Sequence, residues 1–164
     1  MSERPLWAPW RIQYITGPKR EGCVFCLGEA EEGEPYERPI DRGERCFSLL
    51  NTFPYTSGHL MVAPYRHVAS LEDLDDEELG ELMRLARRGI AAQREAMSPD
   101  GFNVGLNLGA VAGAGIADHL HLHVVPRWEG DNSFMPVLAD IRVLPQALEA
   151  TYEALAQALA NAPH

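Results

Sequence analysis

Hydrophobic and polar positions alternate most strictly in "DHLHLHVVPRW", where Leu120, Leu122 and Val124 interleave with His119, His121 and His123. Side chains on a strand point alternately to its two faces, so period two predicts a strand here. One face is apolar and suited to packing on a helix, and the other is made wholly of imidazole. Pro126 limits continuation of the ladder, because proline has no N–H to give it. Two more strands are predicted in "CFSLLN" and "GHLMVAP", joined by the turn-rich "TFPYTS". "FNVGLNLG" reads as another strand, with "AVAGAGIA" as a glycine- and alanine-rich connection to the histidine strand.

Elsewhere the period becomes helical. Leu79, Leu82, Met83, Ala86 and Ile90 recur at helical spacing, with Glu and Arg opposite. The acidic cluster from Asp73 to Asp76 suits the positive end of a helix, and "SPDG" (Ser98 to Gly101) stops it. A C-terminal helix is predicted to start around Pro145, with Leu148, Tyr152, Leu155 and Leu159 as its apolar stripe. Strands joined by short turns, with helices inserted between them, predict an α+β fold built on an antiparallel sheet.

Residues 1–22 are rich in Pro and Trp without a clear period, and "EAEEGEPYE" reads as a solvated loop. There is no internal repeat and no low-complexity segment. A length of 164 residues with a 46% hydrophobic fraction fits one domain with one buried core. The expected organisation is a single domain, 1–164: an N-terminal extension (1–22), a core carrying the histidines (23–130), and a C-terminal segment and helix (131–164).

A formal net charge of -10 argues against affinity for nucleic acid polymers or an anionic membrane surface. A small anionic ligand remains compatible, since a local site can be positive within an acidic surface. No apolar run approaches the roughly 18 residues that span a bilayer, and the N-terminus lacks a signal-peptide h-region. A soluble, cytoplasmic protein with no membrane partner is expected. Two of the three cysteines form Cys23-x-x-Cys26, which suits a reducing compartment and a metal or redox role.

Half of the six histidines fall in the short histidine strand. Imidazole is both a common metal ligand and a nucleophile able to form covalent intermediates, and alternation alone leaves both readings open. Upstream, "NLGAVAGAG" offers Asn107 and the glycines Gly109, Gly113 and Gly115, whose N–H groups can approach phosphate oxygens closely. A metallohydrolase would want carboxylates nearby. Asp118 is the only close one, and at strand parity it points to the other face. Cys23-x-x-Cys26 has zinc-knuckle spacing, but a structural zinc needs four ligands and no second C-x-x-C exists. A redox pair and two buried thiols stay open beside it. Cys46 reads as core and His164 as solvated. Arg127 suits either a phosphate contact or a surface salt bridge. Trp7, Trp10 and Trp128 read as core packing ahead of a base pocket or a subunit interface.

"HLHLHVV" resembles the motif of the histidine triad (HIT) family of nucleotide hydrolases and transferases. The resemblance extends over about residues 20–130: "CVFC", "GHLMVAPYRH", Asn107 and the triad follow in the family's order. "AGAG", "DHLHLHVVPRW" and "GDNSF", with the N-terminal "LWAPWRIQYI", are similar to the branch containing bacterial diadenosine tetraphosphate phosphorylases. The resemblance implies a HIT-like antiparallel sheet with one long central helix and a C-terminal helix, assembled as a homodimer. It makes His121 the nucleophile that attacks an α-phosphate and carries the nucleotidyl group. His123 contacts the phosphate and leaving-group region, and His59 is a further active-site histidine. Asn51 hydrogen-bonds the ribose hydroxyls, and Asn107 is a phosphate-side contact.

Many relatives carry Gln or Ser where this chain has Gly115 and Ile116. Help to the leaving group would then fall to His123 or to the N–H groups of the loop with Gly113 and Gly115, and Arg127 would add positive charge. The resemblance also completes a structural Zn2+ site from Cys23, Cys26, His67 and His119, with no organic cofactor. The implied reaction is nucleotidyl transfer from a dinucleoside polyphosphate, most readily an adenine nucleotide, to phosphate or to water. Three alternatives stand beside it: a nucleoside phosphoramidate hydrolase, a nucleotide-binding regulatory module with slow turnover, and a metal-dependent hydrolase in which the triad holds the metal.

Overall fold

The structure is a computed structural model, and it describes residues 22–27, 34–131 and 146–162. Five antiparallel strands form one sheet: β1 (Pro39–Arg42), β2 (Cys46–Leu50), β3 (Leu60–Pro64), β4 (Gly101–Leu106) and β5 (Leu122–Arg127). Their order across the sheet is β1-β2-β3-β5-β4. Helix α1 (Asp76–Met97) lies between β3 and β4 in sequence, and α2 (Leu148–Asn161) follows β5. This is the α+β HIT-like fold expected. Among the described residues no helix is long and apolar enough to cross a membrane.

Alternation along the strands gives the sheet two different faces. Leu50, Leu60, Val62, Leu122 and Val124 share one cluster with Leu82, Leu85 and Ala86 of α1 and with Leu155, Ala158 and Leu159 of α2. Phe47, Leu49, Met61 and Ala63 point the other way and pack with Phe25. His123 lies directly opposite Met61 on β3 and Gly105 on β4, so it belongs to this second face. The helices hold one face, which leaves the other for the histidines.

Helix α1 begins with a reciprocal cap. Asp75 accepts from the Glu78 N–H at 2.8 Å, and the Glu78 carboxylate accepts from the Asp75 N–H at 3.0 Å. It ends at Ser98 in the left-handed region, φ 48°. Met83, expected on the buried stripe, is 56% exposed, and Leu85 is buried instead. Leu82 and Ala86 of the predicted stripe are buried and Ile90 packs against the core, with Leu85 and Gly89 completing the buried face. Gly89 lets Leu60 come within 3.0 Å of the place a Cβ would occupy.

Three other expectations change. β1 was not anticipated, since "PIDR" carries one strongly apolar residue and is only half-buried. α2 starts at Leu148, later than expected; Pro145 lies outside the described residues, as do Trp7, Trp10, His164 and most of the acidic stretch. The histidine strand is shorter than the alternation suggests, because its ladder begins only at Leu122. A longer ladder would extend past Val62↔Leu122 toward Pro64, which has no N–H to donate. The Pro64 carbonyl bonds the His119 side chain instead, at 2.9 Å. Cys46 is core, as expected. Trp128 donates from its indole to the Met97 carbonyl at 3.3 Å.

Gln93, buried in α1, ties the two histidine-bearing segments together. Its amide donates to the Gly58 carbonyl at 2.7 Å and to the Val124 carbonyl at 3.3 Å, just before His59 and just after His123. Gln93→Ala would leave both carbonyls without this donor. A loss of about 2–4 kcal/mol is expected, read as a lower urea midpoint at unchanged slope.

Candidate active site and metal centre

The hairpin of β2 and β3 places two polar residues at its mouth. The Asn51 N–H donates to the His59 carbonyl at 2.8 Å, one step past the Leu50↔Leu60 pair. The Asn51 side-chain oxygen accepts from the Phe53 N–H at 2.9 Å, which turns its NH2 toward His59 Nδ1, 3.3 Å away. The Tyr55 N–H donates to the same nitrogen at 3.1 Å. His59 Nδ1 is therefore an acceptor, and the neutral ring carries its hydrogen on Nε2. That nitrogen is 2.9 Å from His123 Nδ1 and donates to it. Neutral His123 then keeps its own hydrogen on Nε2, the nitrogen that faces the side-chain amide of Asn107 at 3.3 Å. Asn107 stands there because β4 ends at Leu106, opposite Leu122. The amide oxygen is the group that suits this contact.

His121 is fixed by a different partner. Its Nδ1 lies 2.8 Å from the backbone carbonyl of His119. A carbonyl can only accept, so Nδ1 holds the hydrogen and Nε2 keeps its lone pair. Burial lowers the His121 pKa, against the opposing pull of that carbonyl. Burial, and then repulsion from His121, pushes the His123 pKa down to about 4. Near neutral pH the site thus pairs an unprotonated nitrogen on His121 with an N–H donor on His123. Such a pair can attack an electrophilic phosphorus and hydrogen-bond an oxygen on it.

Two aromatic side chains that the sequence reading did not single out line these rings. Tyr55 covers His59 and His123, with centroids 4.6 Å and 5.7 Å away. Phe25 stacks on His121 at 4.7 Å. Their only trace in the sequence is an aromatic inside each motif, "PYTSGH" and "CVFC".

The glycine-rich loop is only partly as expected. Ala110–Ala112 form one tight turn, closed by Gly113 at φ 90°. The Gly113 N–H is not free for an anion, because it donates to the Ala110 carbonyl at 3.0 Å. At both Gly113 and Gly115 an added Cβ would meet nothing within 4 Å, so the loop does leave open space. For Arg127, the salt bridge is what forms. Its guanidinium makes a two-pronged pair with Asp131, at 2.5 and 2.7 Å, and also reaches Asn103. Arg127 is six residues beyond His121, which along a strand is roughly 20 Å.

The first triad histidine turns away from the other two. Cys23, Cys26, His67 and His119 bring their donor atoms within 4.8 Å of one another. Cys23 Sγ is 3.3 Å from His119 Nδ1, and Cys26 Sγ is 3.1 Å from His67 Nδ1. Bonds of about 2.0–2.3 Å in a tetrahedral site put neighbouring donors roughly 3.3–3.8 Å apart. Donation from His119 Nε2 to Pro64 leaves Nδ1 as the lone pair facing the sulfurs, the outer-shell arrangement that orients a metal-binding imidazole. Two sulfurs and two imidazoles fit a metal ion of zinc type. His121 and His123 take no part in this cluster, so a metal held by the triad itself is not what the side chains form.

The HIT domain profile matches residues 32–130. Over 170 residues the chain is 41% identical to a Mycobacterium tuberculosis protein named AP-4-A phosphorylase, covering 96% of this chain and 85% of that one. A crystal structure of a zinc-bound histidine triad family protein from Mycobacterium smegmatis superposes with a TM-score of 0.67 at 32% identity, over 85% of this chain and 94% of that one. A hypothetical histidine triad nucleotide-binding protein from Sulfolobus tokodaii superposes at 0.68 with 26% identity, over 85% and 93%. With the histidines on one sheet face and the family profile spanning the sheet and α1, the chain belongs to the histidine triad (HIT domain) family.

Proposed function

We propose that this HIT-family enzyme, which processes nucleotides, transfers the nucleotidyl group of a dinucleoside polyphosphate of the diadenosine tetraphosphate type to inorganic phosphate, through a covalent nucleotidyl-His121 intermediate. The observation that carries this reading is the bond from His121 Nδ1 to the His119 carbonyl, which leaves Nε2 as an unprotonated nucleophile. The Nε2 lone pair forms the N–P bond while the P–O bond to the leaving polyphosphate breaks, its electron pair departing on that oxygen. The His123 Nε2–H, held by His59 and Tyr55, meets the charge that builds on phosphate oxygens, with Asn107 beside it. Asn51 at the hairpin mouth is the proposed ribose contact. Phosphate as acceptor is supported by the open space at Gly113 and Gly115 and by the name of the Mycobacterium tuberculosis relative.

Cys23, Cys26, His67 and His119 are the proposed ligands of a structural Zn2+. When bound, the ion compensates two thiolates and fastens the Val24–Leu27 turn to the segment that carries His121.

Three outcomes are expected. His121→Gly lowers turnover on the order of 10³-fold or more while nucleotide binding stays within a few-fold; near-normal turnover in a folded variant removes the covalent route. Diadenosine tetraphosphate supplied with labelled phosphate yields ATP and ADP, with label in the β-position of ADP. AMP and ATP, at a rate indifferent to phosphate, would make the enzyme a hydrolase. Elemental analysis of untagged protein finds about one zinc per chain, and Cys23→Ser lowers both metal content and melting temperature. A metal-free, equally stable wild type defeats the zinc assignment.

A further inference from the structure

The ring that walls the nucleophile comes from the same short turn that supplies the two sulfurs. Phe25 stands between Cys23 and Cys26 and is 1% exposed. It stacks on His121 with centroids 4.7 Å apart at 30°, and tilts onto His119 at 5.2 Å and 50°. It also packs with Phe47, Leu49, Met61 and Ala63 of the sheet. Metal binding asks only for the sulfurs and the two imidazoles, so the stacking on His121 is separate from it. Contacts of Cys23 with His119 and of Cys26 with His67 hold the turn on both sides of the ring.

Resting on the reading of His121 as the covalent nucleophile, we propose that Phe25 is a positioning residue for nucleotidyl transfer: it holds the imidazole plane and presents its π-face to the positive charge that this ring acquires when nucleotidylated. The charge follows from the electron count. Nε2 spends its lone pair on the N–P bond, the P–O electron pair leaves with the polyphosphate, and Nδ1 keeps the hydrogen bonded to the His119 carbonyl. A neutral imidazole becomes a cationic one. The face of an aromatic ring attracts a cation, and more strongly in a desolvated site. Before attack His121 is neutral and this attraction is small, so it favours the charged species selectively and lowers the barrier leading to it. In the second half-reaction the acceptor oxygen attacks phosphorus, the N–P bond returns its pair to Nε2, and the ring is neutral again. An aliphatic side chain of similar size fills the space without a quadrupole.

The test compares full-length wild type, Phe25→Leu and Phe25→Tyr at saturating diadenosine tetraphosphate. Reactions are quenched in alkali, which spares the phosphorus–nitrogen bond, and the nucleotidyl-enzyme is read by intact mass against time. Zinc content and melting temperature report on the fold independently of turnover. Phe25→Leu is expected to form the adduct about 3- to 30-fold more slowly and to hold less of it at steady state, with zinc retained. Phe25→Tyr is expected near wild type. Should Phe25→Leu lose zinc or melt early, Phe25→Met carries the same comparison. Adduct formation at the wild-type rate in the aliphatic variant overturns the proposal, as does Phe25→Tyr being as slow as that variant. An absence of adduct in wild type would instead bring down the covalent reading of His121, a distinguishable result.

Discussion

The backbone carbonyl of His119 and the hydrogen it takes from His121 Nδ1 form the contact on which the chemistry of this site depends. A neutral imidazole has one hydrogen to place, and this bond decides that Nε2 is the bare nitrogen. The carbonyl belongs to a residue that is itself held at two points. His119 Nε2 bonds the Pro64 carbonyl, and its Nδ1 faces the sulfurs of Cys23 and Cys26. Because β5 starts its ladder only at Leu122, the three residues before it lack strand pairing. Side-chain bonds and the Leu120 N–H to the Val68 carbonyl hold them instead. The His119 ring, the His119 carbonyl and the His121 ring thus restrain one another within three positions.

His123 is governed by a parallel chain of donors. It runs from the Tyr55 N–H through His59 to His123, and each link fixes the tautomer of the next. Two neighbouring imidazoles consequently present opposite functions, a lone pair on His121 and an N–H on His123, although the same residue type supplies both. Lowered pKa values favour the neutral form of both, since burial disfavours a charged ring on each and a charge on His121 would repel one on His123. The backbone partners of this arrangement, the Tyr55 N–H and the His119 carbonyl, lie outside the strands and bond side chains instead of ladder partners.

The sheet makes this possible by dividing its work between faces. Helices α1 and α2 cover one face with aliphatic side chains, so the other is not needed for the main core. That face receives instead the smaller apolar cluster of Phe25, Phe47, Leu49, Met61 and Ala63, next to the imidazoles. Gln93 crosses between the two layers, reaching from α1 to the peptides beside His59 and His123. Stability and site geometry therefore share at least one residue.

Much of this was legible in the sequence, for a physical reason. Period-two and helical alternations record which face of an element meets the core, and they gave α1, β2 to β5, the antiparallel α+β class and the imidazole face. Motif order pointed to the family and to the residues that now surround the site, His59, Asn51, Asn107 and the Cys23, Cys26, His67, His119 cluster. Tertiary structure decided what depends on the third dimension. Alternation cannot tell a paired strand from an extended segment; the register shows the ladder ending at Val62↔Leu122, short of Pro64, which has no N–H to extend it. Helical spacing put Met83 on one stripe with Leu82 and Ala86, and packing against the sheet buries Leu82, Leu85 and Ala86 while leaving Met83 exposed. Composition allowed Arg127 either a phosphate or a carboxylate, and Asp131, one helical step along in sequence but folded back beside it, took it. Phe25 and Tyr55 carried no spacing signal at all: a stacked ring is defined by the partner it meets, and that partner lies far away along the chain.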